Sequence, residues 1–187
     1  MGGGVRITGG ERRGRALVVG PGVRPTEGRV RESLFSIWQS RIGGARFLDL
    51  FAGSGAVGLE AHSRGAAFVC FVEADARALR DLERNAGEMP ALAWRRWRGR
   101  LPAALGQLER AGEAPFDLAF ADPPYAFDEY EALIERSASL LADDGVLAVE
   151  HAWRTELPES AGGLRRIDQR RYGDTAISFY GRRPEAG

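Results

Sequence analysis

The sequence predicts an α/β fold: a mostly parallel, seven-stranded sheet with helices on both faces, an antiparallel C-terminal hairpin, and a β-hairpin and helix placed before the sheet. Three observations predict it. Apolar β-like runs alternate with helical patterns from Arg46 to Glu150, and repeated βα units of that length give parallel strands joined by crossover helices. The stretch Asp49-Leu50-Phe51-Ala52-Gly53-Ser54-Gly55-Ala56-Val57-Gly58 has the order strand, glycine turn, helix. The tail holds two β-like runs, Leu164 to Arg171 and Thr175 to Arg182, joined at Tyr172-Gly173-Asp174, which reads as a hairpin closing one edge of the sheet.

Composition narrows the possibilities. A chain of 187 residues, 44% hydrophobic, buries one sizeable core; we divide it into an extension at 1–42 and a main domain at 43–187. No apolar run approaches the roughly 18 residues that cross a bilayer, and Met1-Gly2-Gly3-Gly4 lacks a signal peptide's apolar region. A cytoplasmic protein is expected, with no membrane partner. The single cysteine, Cys70, excludes an internal disulfide, and with only His62 and His151 beside it no metal-ligand spacing exists, so no metal is expected. The net charge is zero but segregated. Residues 1–31 carry seven arginines against two glutamates, a balance of +5, and residues 113–150 carry ten acids against Arg136, a balance of −9. All 26 basic residues are arginines, a side chain that contacts phosphate through two donors at once.

In chain order, residues 5–8 and 15–19 are short β-like runs around Gly9-Gly10-Glu11-Arg12-Arg13-Gly14, a hairpin with a basic tip. Thr26 is placed to cap a helix from about Glu27 to Arg41, with Val30, Leu34, Ile37 and Trp38 on its core face. The first strand covers 46–51 and its helix runs from near Gly55 to Gly65. The second strand is 68–73, followed by a helix with Leu79 and Leu82 that ends near Gly87. A weaker strand, 92–97, precedes a helix at 102–110, with Trp94 and Trp97 on opposite faces as packing residues. The fourth strand is 116–121, a helix follows at 128–141, and a fifth strand at 145–150.

The glycine stretch has the shape of a cofactor seat. Gly53 and Gly55 let the backbone turn sharply and let a ligand approach, and Gly58 permits close helix–strand packing. Such a loop does not by itself choose the cofactor. Glu73 ends the second strand twenty residues beyond Gly53, where a carboxylate accepts hydrogen bonds from ribose hydroxyls. The fourth strand runs into Asp122-Pro123-Pro124-Tyr125. Two prolines stop the ladder and stiffen the chain, holding an acid and an aromatic ring at set positions. In a doubly wound sheet the first and fourth strands are neighbours at the switch point, so the two loops are expected to share one crevice.

Ala119-Phe120-Ala121-Asp122-Pro123-Pro124-Tyr125 resembles the (D/N)PP(Y/F) motif of S-adenosylmethionine-dependent amino-methyltransferases of the Rossmann-like class I fold. Arg6-Ile7 with Gly9-Gly10, Arg13-Gly14-Arg15, Arg24-Pro25-Thr26 and Arg29-Val30-Arg31-Glu32-Ser33-Leu34-Phe35 resemble the amino-terminal signature of one family, the bacterial small-subunit (16S) rRNA guanine-N2 methyltransferases. The resemblance implies S-adenosyl-L-methionine as cofactor, with Asp49, Phe51, Gly53 and Gly55 at its methionine end and Glu73 at its ribose. It implies that Asp122, Pro123 and Tyr125 act on the target base, which must leave its stack to be modified. It further implies 16S rRNA, free or in the small subunit, as partner of a monomer, gripped by Arg6, Arg12, Arg13, Arg15, Arg24, Thr26, Arg29 and Arg31.

The chain departs from the family pattern at Gly28, where Asp is usual, and at Ser36, where Asn is usual. Related enzymes place an acid after the third strand for the adenine amino group; here that region reads Arg98-Gly99-Arg100. Cys70 lies mid-strand between apolar residues, which disfavours the covalent route used on pyrimidine C5. The catalytic motif alone also admits adenine, cytosine or a glutamine amide as acceptor, and an RNA-binding assembly factor without catalysis is a separate class. A nicotinamide-dependent oxidoreductase would not call for Asp-Pro-Pro-Tyr.

Overall fold

Strand β2 (Phe68–Glu73) is buried along its four central residues, as a continuous Val-Cys-Phe-Val run requires when both faces are covered. The computed structural model describes residues 5–20 and 26–182, with the side chains of Thr26 and Glu27 set aside; Arg24 lies outside the described residues. The chain forms two compact units, Met1–Arg98 and Gly99–Gly187. The expected division at residue 42 does not coincide with the boundary between these units and remains a proposal.

In the first unit β2 pairs in parallel with β1 (Arg46–Leu50), Arg46 opposite Phe68 and Leu50 opposite Val72. On its other side it pairs in parallel with β3 (Trp94–Arg98), Val69 opposite Trp94 and Glu73 opposite Arg98. Helix α1 (Thr26–Ile37) buries Val30, Leu34 and Phe35. The ring of Phe47 meets Phe35 at 6.1 Å and Trp38 edge-on at 5.9 Å. Ile37, expected in the core, is 40% exposed. The helix ends on this residue instead of reaching Arg41, and at 100° per residue Ile37 lies to one side of the face that buries Leu34 and Phe35. Helix α2 (Ala56–Ser63) lies so close to β2 that a Cβ at Gly58 would stand 2.3 Å from Phe71 Cε1 and 2.7 Å from Val69 Cγ1. Helix α3 (Ala76–Ala86) is capped by Asp75, whose carboxylate accepts from the Arg77 and Ala78 N–H groups, and it buries Leu79 and Leu82. The Ala78 hydrogen bond leads the causes that hold the Asp75 carboxyl below its ordinary range.

The amino-terminal arm forms only a fragment of the expected hairpin: one antiparallel bridge, Arg6 with Ala16, flanked by Ile7 N–H to Arg15 O and Leu17 N–H to Val5 O. Its backbone is engaged by α2. Glu11 N–H donates to Ser63 O, Arg12 N–H to Ser63 Oγ, and that hydroxyl donates to Gly9 O. Beside them Glu60, fully buried, accepts from Thr8 N–H at 3.0 Å, from the Thr8 hydroxyl, from Arg31 Nε at 3.0 Å, and from Arg64 Nε at 3.0 Å and Nη2 at 2.7 Å.

In the second unit β4 (Phe116–Ala121) pairs in parallel with β5 (Leu141–Ala152), and β5 pairs antiparallel with β8 (Thr175–Gly181). Strand β7 (Leu164–Tyr172) lies outside β8, and a two-residue β6 (Ser160–Ala161) lies outside β7. The order within the unit is β4-β5-β8-β7-β6. The last strand therefore inserts between two others, and the added β6 makes eight described strands where seven were expected. Helix α4 spans Leu105–Arg110, later than expected because residues 101–104 form turns. Helix α5 (Tyr130–Ser137) passes into a single 3₁₀ turn, Ala138–Leu140, whose Ala138 carbonyl accepts from Arg182 Nη2. Strand β5 begins at Leu141, not Gly145: Phe116 faces Leu141, then a bulge brings Leu118 opposite Val146. Thus the two units carry an α/β fold, mostly parallel with antiparallel C-terminal strands. No described helix is long and apolar enough to cross a membrane.

Replacing Glu60 by Ala would leave the Arg31 guanidinium, 5% exposed, buried without its carboxylate. A loss of about 3–5 kcal/mol is expected, read as a lower urea midpoint. The Gly58→Ala variant should lose about 1–3 kcal/mol by overpacking against Phe71, in the same measurement.

Candidate functional site

A candidate site in the first unit is the turn between β1 and α2, held from several sides. Asp49, buried on β1, accepts from Gly58 N–H at 2.8 Å, so the strand's own carboxylate caps the first turn of α2. Gly53 N–H donates to Glu73 Oε2 at 2.8 Å, while Glu73 Oε1 accepts from the Ala74 and Asp75 N–H groups at 2.8 Å each. Ala52 N–H donates to Val72 O, and Gly55 N–H to Ala52 O. Phe51 holds φ +60, a left-handed conformation uncommon for a bulky residue. Such geometry persists where the surroundings over-determine it, and it recurs at ligand sites.

Gly53 has φ +55 and nothing within 4 Å of where its Cβ would stand. The backbone can therefore be approached there from open space. Glu73 Oε2 takes one N–H and keeps a lone pair. The turn thus offers a preorganised backbone with carboxylates from Asp49 and Glu73.

A candidate site in the second unit lies where β4 ends. Asp122 is exposed, Pro123 buried, Pro124 exposed, and the Tyr125 ring 79% exposed. Phe127 N–H donates to Pro124 O at 2.8 Å and closes the turn, and the Phe127 ring meets Tyr130 edge-on at 5.1 Å. Burial first, then the negative charge of Asp122, raises the Tyr130 phenol above its ordinary value. This segment combines a hydrogen-bond acceptor group, a stiff backbone and an open aromatic face.

The basic arm divides three ways. Arg13 and Arg29 are exposed. Arg6 Nη1 donates to Gly14 O, Arg12 Nη2 to Glu88 O, and Arg15 pairs with Glu88 at 2.6 Å. The Glu88 side chain is itself well exposed, so its ion pair with Arg15 is weak and exchangeable. Arg31 departs from the expectation of an RNA contact. Its guanidinium is buried against Glu60, and Nη2 donates to Arg6 O at 2.7 Å, which leaves it a structural role.

Two side chains with clear roles escaped the sequence reading. Asn85, buried on α3, accepts from Val18 N–H and donates to Val18 O and to Ser54 O at 3.0 Å, joining arm and glycine turn. Tyr130 begins α5 and feels Asp122. An Asn near a helix end and a Tyr after an acidic pair carry no pattern that separates them from surface residues. His151, buried, shares Ser178 Oγ with Gln169; its imidazole is held below its ordinary pKa mainly by burial, a structural setting.

Residues 5–181 match the family model described as Conserved hypothetical protein 95. Ribosomal RNA small subunit methyltransferase D of Escherichia coli is 41% identical over 148 residues, 78% of this chain and 71% of that protein. YlbH of Bacillus subtilis is 34% identical over 184 residues, 96% of this chain and all of YlbH. The solved structure of the Escherichia coli protein yhhF superposes with a TM-score of 0.84 at 35% identity, covering 96% of this chain and 98% of that one. The chain belongs to the Conserved hypothetical protein 95 family, with the ribosomal RNA small subunit methyltransferase D proteins among its relatives.

Proposed function

We propose that this chain transfers a methyl group from S-adenosyl-L-methionine to the exocyclic N2 of a guanine in 16S ribosomal RNA, acting as a monomer in the cytoplasm. The observation that carries the proposal is the end of β4: an exposed Asp122 carboxylate ahead of a buried Pro123, with the Tyr125 ring open to solvent. Family membership and the rRNA methyltransferase name of the Escherichia coli relative support the substrate class.

The glycine turn suits this cofactor, because open space meets the Gly53 backbone and two carboxylates stand beside it. Asp49, Phe51, Gly53 and Gly55 would hold its methionine end, Asp49 by attraction to the amine, and the free lone pair of Glu73 would accept from a ribose hydroxyl. When bound, S-adenosylmethionine supplies an electrophilic methyl on sulfur.

The remaining work falls to the residues after β4. The lone pair of a guanine exocyclic nitrogen is delocalised into the ring, which makes it a poor nucleophile. Asp122 and the Pro123 carbonyl, accepting its two hydrogens, would favour the pyramidal form and fix its direction. Tyr125 would stack on the base once it has left the helix. On the arm, Arg13 and Arg29 offer phosphate contacts directly, and Arg6, Arg12 and Arg15 after exchange of their surface partners. Thr26 and Arg24 belong to the same proposed contact.

The decisive experiment supplies labelled S-adenosylmethionine with naked rRNA, small subunits or DNA and maps the methylated atom. Label on guanine N2 of rRNA is expected. Label on adenine, cytosine or a glutamine amide would replace the guanine assignment, and RNA binding without transfer would indicate an assembly factor. Asp122→Ala should lower kcat by about 10²–10³-fold with RNA affinity retained, as loss of one transition-state hydrogen-bonding group does. The Arg13→Ala/Arg29→Ala pair should weaken rRNA binding and flatten the log–log salt slope by about 1.4, two single-strand phosphate contacts.

A further inference from the structure

We infer that Trp153, Arg154 and Arg171 form a second RNA-binding element in the second unit, which stacks a nucleobase and holds the phosphates next to the target nucleotide. This inference rests on the proposed methyl transfer to RNA and adds to it a strand-positioning contact. The register within the unit places the element. Ala121, the last residue of β4, lies opposite Val149. Strand β5 continues three residues further to Ala152 and then releases Trp153, at the same edge where β4 releases Asp122. Because β8 runs antiparallel to β5 with Ala152 opposite Thr175, the β7–β8 turn returns to that edge too. Trp153 N–H donates to Asp174 O at 2.8 Å and ties the two segments together.

The side chains there are arranged as a platform. The Arg171 guanidinium lies over the Trp153 ring, 4.7 Å from its centroid, and its Nε donates to Gly173 O at 2.8 Å. Both Nη groups are without a hydrogen-bond acceptor among the described residues, so the fork is fixed in place with its outer donors available. The indole remains 39% exposed. Neighbouring Arg154 is exposed and has no ion-pair partner among the described residues. An exposed indole braced by a guanidinium, with a second guanidinium beside it, matches the chemistry of single-stranded RNA: a π-face for a base, cations for its phosphates.

Charge supplies the need. At the same edge Asp122, Asp128, Glu129 and Glu131 are exposed. A polyanion reaching Asp122 would meet four carboxylates within a segment that carries no cation from 122 to 131. Arg154 and Arg171 stand at that edge and offset this repulsion for the nucleotides on either side of the extruded base.

The test compares wild type with Trp153→Ala, Trp153→Phe and the Arg154→Ala/Arg171→Ala pair, each checked for an unchanged thermal midpoint and S-adenosylmethionine affinity. Rates of methyl transfer to small-subunit RNA and direct titration of the same RNA are both measured. Trp153→Ala should raise the RNA KM and the directly measured Kd about tenfold, the range of one lost base stack, with kcat changed little. Trp153→Phe should restore most of the loss, and the arginine pair should flatten the salt slope by about 1.4. Wild-type KM, Kd and salt slope in folded variants would overturn the inference and leave the methyltransferase reading untouched. Wild-type binding without methyl transfer, with Kd still raised in the variants, would overturn that reading and uphold the RNA-binding element. A wild-type protein that binds no RNA would overturn both.

Discussion

A carboxylate with no solvent-exposed surface must find its partners inside the protein, and Glu60 imposes that condition on the first unit. Arg31 of α1, Arg64 at the end of α2 and Thr8 of the arm converge on its two oxygens. Removing any one partner leaves a desolvated group behind, so the three segments are mutually required. The arm has almost no sheet of its own, and this convergence together with Ser63 is what seats it against α2. With the arm seated, α1 buries Leu34 and Phe35, and the aromatic contacts of Phe47 with Phe35 and Trp38 join the helix to β1.

The glycine turn follows from the same logic on a smaller scale. A loop that must present bare backbone cannot rely on its own side chains for rigidity. Its order comes from neighbours: Asp49 beneath, Glu73 from the next strand and Asn85 from α3. The absent side chain at Gly58 then lets α2 sit close enough to β2 for those hydrogen bonds to form. The segment after β4 obtains rigidity differently. Pro123 is buried, Pro124 is fixed by its ring and accepts from Phe127, and neither requires a partner for a proline N–H. One loop is braced from outside and the other is stiff by composition.

What could be read from the sequence follows these physical causes. Strands β1, β2 and β4 are legible because burial on both faces demands mostly apolar runs, each of β1 and β4 carrying a single aspartate, and their bounds differ from the expectation by no more than one residue. Strand β6 has two residues and no period, and the start of β5 is masked by Asp143-Asp144-Gly145, which reads as a turn. Glu60 is invisible for a different reason. On a helix a glutamate reads as solvent-facing, and only the fold brings two arginines and a threonine to it from 29, 4 and 52 residues away. The same blindness made Arg31 look like a surface cation. The positions of Asp49, Gly53 and Glu73 around the glycine turn, and of Asp122 at the end of β4, are legible because strand ends and tight turns restrict which residue types can stand there. Their supports, Asn85 and Tyr130, are not, since many residue types can brace a loop.

The amide of Asn85 hydrogen-bonds at once to Val18 of the arm and to Ser54 of the glycine turn. A single planar group serving two segments couples their fluctuations: the arm cannot peel away without loosening the amide that anchors Ser54. Opening of the two segments is therefore cooperative, and amide protons in residues 53–55 should exchange with solvent through the same event that releases residue 18.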